Sequence, residues 1–457
     1  MSRSADSRLT NRSLADLRRG HRGPVIAPDD SGYDAARTTF NGLLDRRPEV
    51  ILRPLDVDDV VSAVSFAGEW DLPIAVRGGG HSVAGHCIGD GSLVVDLRLM
   101  REVVVDPESR TATCGGGSLW EDLDPPCQRQ GLATPGGTFG DTGVGGLTLG
   151  GGIGHLIGLH GLTLDNLLAT TVVTADGSVV SASESENPEL FWALRGGGGN
   201  FGVVVDFTFQ LHPVGPLLGG LLNYRLDDAP AVLPAWRDLM TGAPDSLVCF
   251  AQIFRPGRTS AEGGVSVSVA HFDGIDEGRE AIRPLTELAV PAGDGIRPMY
   301  YPELQEIFGR APFGLRNYWS GRFLRELPDE LIELTSAQFE DPEVSGNVLL
   351  EPLHGAAARV APEATAFAGR EAGYNATFTS AWTDPREDER QIAWARAYSA
   401  ALAPWTIGGG YLNYASEASG ESLDTEFGAQ RFERLRAVKQ RFDPANRFRF
   451  NHNIAPS

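Results

Sequence analysis

The sequence predicts an α+β protein whose first half is rich in glycine and whose second half forms a separate α+β domain. Short apolar strands alternate with amphipathic helices along the chain. Glycine contributes 56 of the 457 residues. That is about 12%, against a usual share of roughly 7%, and the clusters nearly stop after residue 217. Because 42% of the residues are hydrophobic, the chain can bury a sizeable core, which excludes a collagen and a disordered Gly/Pro chain.

In the first half, residues 1–30 are polar and interrupted by proline, and we expect them to be loose. The apolar pattern after them predicts short strands and three helices. The predicted strands are 50–52, 74–76, 93–95, 103–105, 111–113, 170–174, 179–181 and 203–211. The predicted helices are 56–69, 119–128 and a short one that Asn187 caps and that runs to residue 194.

In the second half, the pattern predicts strands at 248–254 and 265–269 and helices at 275–288 and 328–340. Near the end of the chain it predicts one long helix over 426–442, which the sequence FDPANRF terminates.

The charge balance excludes two classes of partner. Lys plus Arg number 39 and Asp plus Glu number 60, which gives a net charge of −21, and Lys439 is the only lysine. A chain this acidic, with no basic run, lacks the electrostatic footprint for nucleic acid or for an anionic membrane. We therefore expect neither as a partner.

The cysteines and the N-terminus indicate the compartment. The four cysteines form no CxxC pair and no metal-ligand spacing, so we expect no metal site and no disulfide framework. The N-terminal segment is polar, without the apolar core of a secretion signal, and no run of about 18 apolar residues could span a membrane. We expect a cytoplasmic protein.

The glycine clusters indicate backbone that lies close to a ligand, and three kinds of ligand site use glycine in this way. Gly197, Gly199 and Gly202 match the spacing of a Rossmann fingerprint, but a helix precedes them and a strand follows, which is the reverse of the required order. A P-loop is excluded because no GK[ST] sequence exists. Two separated clusters, VRGGGHS and TGVGGLTLGGGIG, could instead bracket one extended cofactor and hold a pyrophosphate with bare N–H groups.

Six motifs in order give the chain a family resemblance. They are RGGGHSVAGH, TPGG…TGVGGLTLGGGIG, GLTLDNL, FWALRGGGGNFGVV, YLNY and RFDPANRFRFNHNIAP. Together they resemble the berberine-bridge-enzyme-like FAD-linked oxidases, of the vanillyl-alcohol-oxidase or p-cresol-methylhydroxylase fold group. The resemblance implies a two-subdomain FAD-binding domain over 45–215 after an N-terminal extension over 1–44. It also implies a substrate domain built on an antiparallel sheet over 216–415 and a C-terminal segment over 416–457 that returns to the FAD domain.

The resemblance also implies the cofactor contacts. His81 matches the histidine that bonds the flavin 8α-methyl group, while Phe139 stands where a second, cysteinyl link would form, so we expect one covalent link. Thr142 matches a position that influences oxygen access and is close to valine in size, which favours an oxidase. The remaining expected FAD contacts are Arg77, Gly78, Gly79, Gly80, Ser82, Val83, Gly137, Gly143, Gly145, Gly146, Gly152, Gly154, Gly202, Val204 and Asn413.

The catalytic residues follow from the same motifs. Tyr411 in YLNY matches the family's proton acceptor, and a tyrosine needs help to act as a base because its ordinary pKa is about 10. Asn375 and Thr377 share one face of a predicted strand and are the expected polar partners, although neither is a carboxylate. His155 lies two residues beyond Ile153, where plant members carry a second tyrosine, and is expected to take part of that role.

The resemblance therefore implies an oxidase that transfers a hydride from a small alcohol, amine or phenolic/polyketide metabolite to flavin N5 and is reoxidised by O2, with a role in secondary metabolism. Three alternatives stay open: a dehydrogenase with another electron acceptor, a flavin-dependent cyclase, and a flavoprotein without turnover. The oligomeric state stays open as well.

Overall fold

The computed structural model describes residues 9–255, 263–289, 291–341, 344–416 and 423–457. It begins with helix α1 (Asn11–Gly20), so the prediction of a loose N-terminal segment was wrong. Thr10 and Ser13 form a reciprocal capping box at its start, and Leu14 and Leu17 are buried. The local cap and the buried leucines stabilise a helix that its polar composition concealed.

The first subdomain is a four-stranded sheet with the order β1-β2-β4-β3. Strands β2, β3 and β4 are parallel, and β1 joins antiparallel at the edge. Asp56 accepts two backbone N–H groups at the start of α3, whose buried face packs on this sheet. The elements are β1 Val25–Ile26, α2 Tyr33–Arg37, β2 Val50–Leu52, α3 Val57–Glu69, β3 Ile74–Arg77 and β4 Leu93–Asp96.

The second subdomain is a five-stranded antiparallel sheet with the order β5-β6-β10-β8-β9, flanked by short helices. Its buried face packs against α4 and α7. Asn187 precedes α7, but its side chain donates to Ser181 O rather than capping the helix. The elements are β5 Val103–Asp106, β6 Thr111–Gly115, α4 Trp120–Gln128, β7 Leu132–Ala133, α5 Val144–Gly150, α6 Ile157–His160, β8 Leu167–Val173, β9 Val179–Ser183, α7 Pro188–Leu194, β10 Val203–Gln210 and β11 His212–Pro213.

An eight-stranded antiparallel sheet dominates the second half, with the order β15-β12-β14-β13-β18-β19-β17 and with β16 paired to β12. Helices α8, α12 and α14 cover one face. The elements are β12 Leu217–Arg225, α8 Ala229–Thr241, β13 Leu247–Arg255, β14 Gly264–His271, α9 Ile275–Ala281, α10 Arg283–Leu288, β15 Gly293–Asp294, β16 Arg297–Met299, α11 Tyr301–Leu304, β17 Arg316–Leu324, α12 Asp329–Ala337, β18 Gly346–Pro352, α13 Ala356–Arg359, β19 Tyr374–Trp382 and α14 Asp388–Ala401.

Two predicted helices are each divided into two. The helix predicted over 275–288 is α9 and α10, because the chain breaks at Ile282 ahead of a proline. The helix predicted over 426–442 is α15 (Leu423–Phe427) followed by α16 (Ala429–Phe442). Gly428 separates them with a φ of +79°, a conformation that favours glycine.

The C-terminal segment packs on the glycine-rich half. Leu435, Val438 and Ile454 join the core of the second subdomain. Lys439 is fully buried and donates to Asp443 Oδ2 at 2.7 Å, as well as to two backbone carbonyls, one of them in the glycine loop before β10. Within the described ranges, no helix is long and apolar enough to cross a membrane.

Candidate active site

A cavity of about 610 Å³ separates the glycine-rich loops from the open face of the large sheet. Most of the predicted site residues line it, although they come from segments more than 300 positions apart in the sequence. These lining residues are Gly78, Gly79, Gly80, His81, Ser82, Val83, Gly137, Thr142, Gly143, Gly145, Gly146, Gly202, Val204, Thr377, Tyr411 and Asn413.

Backbone atoms form the wall on the glycine side. Strand β3 ends at Arg77, and among the described residues no protein acceptor receives the backbone N–H groups of residues 78–83. This loop packs directly on a second one, because a Cβ atom at Gly79 would lie 2.5 Å from the Gly143 nitrogen and the reverse contact is equally short. Only glycine permits this approach, and it leaves a row of donors for an anionic or carbonyl-bearing ligand.

His81 follows these glycines, and its side chain, which is 15% exposed, faces the same cavity. Its Nε2 lies 3.8 Å from Asp141 Oδ1. Phe40 stacks on the imidazole, with ring centroids 5.4 Å apart, and Phe313 meets it edge-on. Burial lowers the His81 pKa and Asp141 opposes that shift, so the ring is neutral near pH 7. A neutral imidazole held in one orientation is a competent nucleophile.

Tyr411 is buried and also lines the cavity. Its phenolic oxygen accepts the Gly152 backbone N–H at 2.8 Å and Asn413 Nδ2 at 2.9 Å. Burial raises the Tyr411 pKa, while these two donors act in the other direction because they stabilise a phenolate. The phenol is therefore neutral at rest, and its oxygen is prepared to gain negative charge.

The structure adds a carboxylate that the sequence analysis missed. Glu351 on β18 is fully buried, lines the cavity and pairs in register with Asn375 on β19. Asn375 Nδ2 donates to its Oε2 at 2.6 Å, and the Tyr414 hydroxyl donates to its Oε1 at 3.2 Å. Burial raises the Glu351 pKa to about 7. The motifs had indicated only Asn375 and Thr377 as polar partners of Tyr411, and neither of these is a carboxylate. The missed signal was a charged residue within the apolar strand VLLEP.

Two protein-family models match the chain, one in its glycine-rich half and one near its C-terminus. The family model described as "FAD binding domain" matches residues 48–183, and the model "Berberine and berberine like" matches residues 410–455. The chain is 33% identical over 454 residues to (R)-6-hydroxynicotine oxidase of Paenarthrobacter nicotinovorans, covering 95% of this chain and 97% of that protein. It belongs to the berberine-bridge-enzyme-like FAD-linked oxidoreductases.

Solved structures agree with this assignment. The crystal structure of 6-hydroxy-D-nicotine oxidase from Arthrobacter nicotinovorans superposes with a TM-score of 0.87 at 31% identity and covers all of both chains. A berberine-bridge-enzyme-like protein of Physcomitrella patens, at 22% identity, shares the fold with a TM-score of 0.87 over 95% of this chain and 97% of its own. The predicted fold class, the family and the FAD-linked oxidoreductase activity are confirmed.

Three of the residues that were expected to contact FAD lie outside the cavity lining. The Arg77 guanidinium donates to Ala36 O and packs beneath the glycine loop. Gly152 instead holds the Tyr411 phenol through its N–H group. Gly154 packs against a neighbouring backbone carbonyl. These three residues pack beneath the cavity lining and hold it in place, and they do not form its surface.

Two residues expected to act in catalysis also lie behind the surface. His155 is fully buried and its Nε2 is 3.3 Å from the Ser268 hydroxyl, so the expected role beside the substrate is not supported. Asn375 is fully buried as well and donates to both Glu351 and Thr377. Its position indicates that it orients the two polar groups that do line the cavity.

The cavity fits FAD. The glycine wall supplies unpaired N–H donors, and the absence of side chains leaves room for a ligand beside them. Such a surface suits a pyrophosphate and a flat ring. Phe139 also lines the cavity. The described part of the chain contains no group of three or more His, Cys, Asp or Glu residues suited to a metal ion.

Proposed function

We propose that the chain is an FAD-dependent oxidase in which His81 forms one covalent bond to the flavin. The enzyme removes a hydride from a small alcohol, amine or phenolic substrate and is reoxidised by O2. The observation that carries the proposal is that His81, at the end of the glycine wall, lines the same cavity as Tyr411 and Glu351. The name of the 33% identical relative, a hydroxynicotine oxidase, supports both the oxidase activity and a small organic substrate.

The neutral imidazole of His81 supports the covalent link, because attachment needs a ring nitrogen with a free lone pair. Phe139 supports a single link, because its side chain offers no nucleophile at the second position.

FAD, when bound, supplies the acceptor for the hydride. Tyr411 accepts the substrate proton as its phenolate, after its own proton has passed to solvent, and Gly152 and Asn413 donate to its oxygen and stabilise that phenolate. Glu351 lies one hydrogen bond from Tyr414, whose ring packs 4.7 Å from that of Tyr411. The carboxylate thereby places a proton acceptor with a pKa of about 7 on the substrate side of the cavity.

The absorption spectrum and intact mass of purified protein test the proposal together. We expect a yellow protein that keeps the mass of FAD after denaturation, and His81→Ala should bind flavin but release it on denaturation. Free loss of flavin from the denatured wild-type protein would contradict the covalent link. The four cysteines are buried and unpaired, which supports a reducing, cytoplasmic compartment as part of the proposal.

A dehydrogenase is the second candidate, because oxygen access depends on side chains such as Thr142 that line the cavity. Stopped-flow mixing of the reduced enzyme with O2 separates the two functions. Rapid reoxidation supports the oxidase, and slow reoxidation with rapid transfer to a quinone supports the dehydrogenase. Anaerobic bleaching of the flavin in a substrate screen would exclude a flavoprotein without turnover.

A further inference from the structure

Two buried polar atoms face one another beside the proposed attachment point, and neither has a hydrogen-bond partner. His81 Nε2 and Asp141 Oδ1 are both shielded from solvent and lie 3.8 Å apart. Leaving a buried polar atom without a hydrogen bond is unfavourable. One atom can donate a hydrogen bond and the other can accept it, and they lie almost within hydrogen-bond distance. We therefore expect the hydrogen bond between them to form when flavin is bound.

The protein holds both partners firmly. The loop carrying Asp141 is fixed on either side, because Glu121 N–H donates to Gly140 O at 2.7 Å and Trp120 N–H donates to Thr142 O at 3.1 Å. On the other side, Phe40 stacks on the imidazole. Such restraints keep a functional pair within reach of its working geometry.

We propose that Asp141 is a positioning residue for flavin attachment, which holds the Nε2 proton of His81 so that Nδ1 carries the reactive lone pair. This inference rests on the proposed histidyl link. Because Nε2 is buried even with the cavity open, the bond to flavin forms at the other ring nitrogen. A carboxylate that fixes the tautomer of an imidazole and stabilises its cationic form is a recurrent device in enzymes.

The covalent step balances with the oxidant of the proposed oxidase. His81 Nδ1 forms a C–N bond to the flavin 8-methyl carbon, which loses one C–H bond. Asp141 receives the Nε2 proton that the imidazolium then releases. Two electrons reduce the flavin ring, and O2 takes them up with the two released protons to form hydrogen peroxide. The net change is one C–H and one N–H bond lost, one C–N bond gained and one O2 converted to H2O2.

The test measures attachment separately from binding. Full-length apoprotein, made under riboflavin depletion, is mixed with FAD in air, and covalent flavin is followed by fluorescence of the denatured protein band. Asp141→Asn keeps the size of the side chain but cannot accept the proton. We expect it to bind FAD in full while attaching it roughly 10–100-fold more slowly, by analogy with the loss seen when a carboxylate that orients a metal-ligating imidazole is removed. Asp141→Glu should recover most of the rate.

Matched variants make the outcomes distinct. Asp58→Asn removes an exposed carboxylate from α3 and should attach flavin at the wild-type rate. Attachment by Asp141→Asn at the wild-type rate would overturn the role of Asp141 and leave the proposed function intact. Absence of attachment in the wild type itself would overturn the histidyl link. If Asp141→Asn does not fold, Asp141→Thr carries the same test, and normal attachment by that variant overturns the inference.

Discussion

The two walls of the cavity recognise ligands by different means. The glycine wall presents main-chain N–H groups together with a few polar side chains, among them His81, Ser82 and Thr142. The sheet wall presents side chains that alternate along antiparallel strands, with Glu351 and Thr377 among them. A main-chain surface fits one invariant group, the cofactor, whereas a side-chain surface can change residue by residue. Under the proposed function, substrate selectivity and proton transfer therefore belong to the sheet wall and to Tyr411.

Replacing Tyr411 should produce the largest loss on the substrate side. Tyr411→Phe removes the proton acceptor and leaves Gly152 and Asn413 without their shared partner. We expect the rate of flavin reduction to fall roughly 10²–10⁴-fold in anaerobic stopped-flow measurements. Tyr224→Phe, which removes a hydroxyl bonded to Leu285 O far from the cavity, is the control and should reduce flavin at the normal rate. A near-normal rate in Tyr411→Phe would exclude it as the proton acceptor.

On the cofactor side, the largest effect should come from the only lysine. Lys439 and Asp443 form a fully buried ion pair that also fixes the glycine loop at Asn200. Lys439→Met removes the counter-charge of the buried carboxylate, which keeps only the N–H donors of Arg447 and Phe448, and removing one partner of a buried ion pair costs about 3–5 kcal/mol. Urea unfolding should show this loss, and adding Asp443→Asn should recover part of it. Equal unfolding midpoints for wild type and Lys439→Met would show that the pair does not stabilise this wall.

The difference between the two walls also explains why the sequence predicted the glycine wall better than the sheet wall. The glycine wall is encoded locally, since β3 runs directly into Gly78–Gly80 and His81, and short motifs were sufficient to find it. The sheet wall depends on pairing between distant strands. Glu351 meets Asn375 only through the β18–β19 register and Tyr414 only through the chain's return after β19. No local pattern encodes those contacts, so the carboxylate was missed while the tyrosine was found.

Glu351 should make stability depend on pH. Burial raises its pKa from 4.5 to about 7 in the folded protein. The stability associated with its protonated form is fully present below pH 4.5 and is lost as the pH rises through 7, by up to about 3 kcal/mol. Glu351→Gln cannot ionise and should lose less stability than the wild type between pH 5 and pH 8. Parallel pH profiles of unfolding for the two proteins would contradict the raised pKa.

The smallest expected effects separate glycines required by the fold from glycines required by the ligand. A Cβ atom at Gly79 would collide with Gly143, so Gly79→Ala should destabilise the apoprotein by about 1–3 kcal/mol. A Cβ atom at Gly146 meets no protein atom within 4 Å, yet this residue lines the cavity. Gly146→Ala should therefore fold at least as stably, because alanine favours the helix α5 by up to about 1 kcal/mol.

Gly146→Ala should nevertheless bind FAD more weakly, which flavin occupancy in a His81→Ala background measures without the covalent bond. Because its methyl group projects into the cavity rather than into protein, a fall in occupancy with unchanged apoprotein stability would locate the cofactor against α5. Full occupancy in Gly146→Ala would place the cofactor away from this part of the wall. Fewer of the glycines that line the cavity would then contact the cofactor.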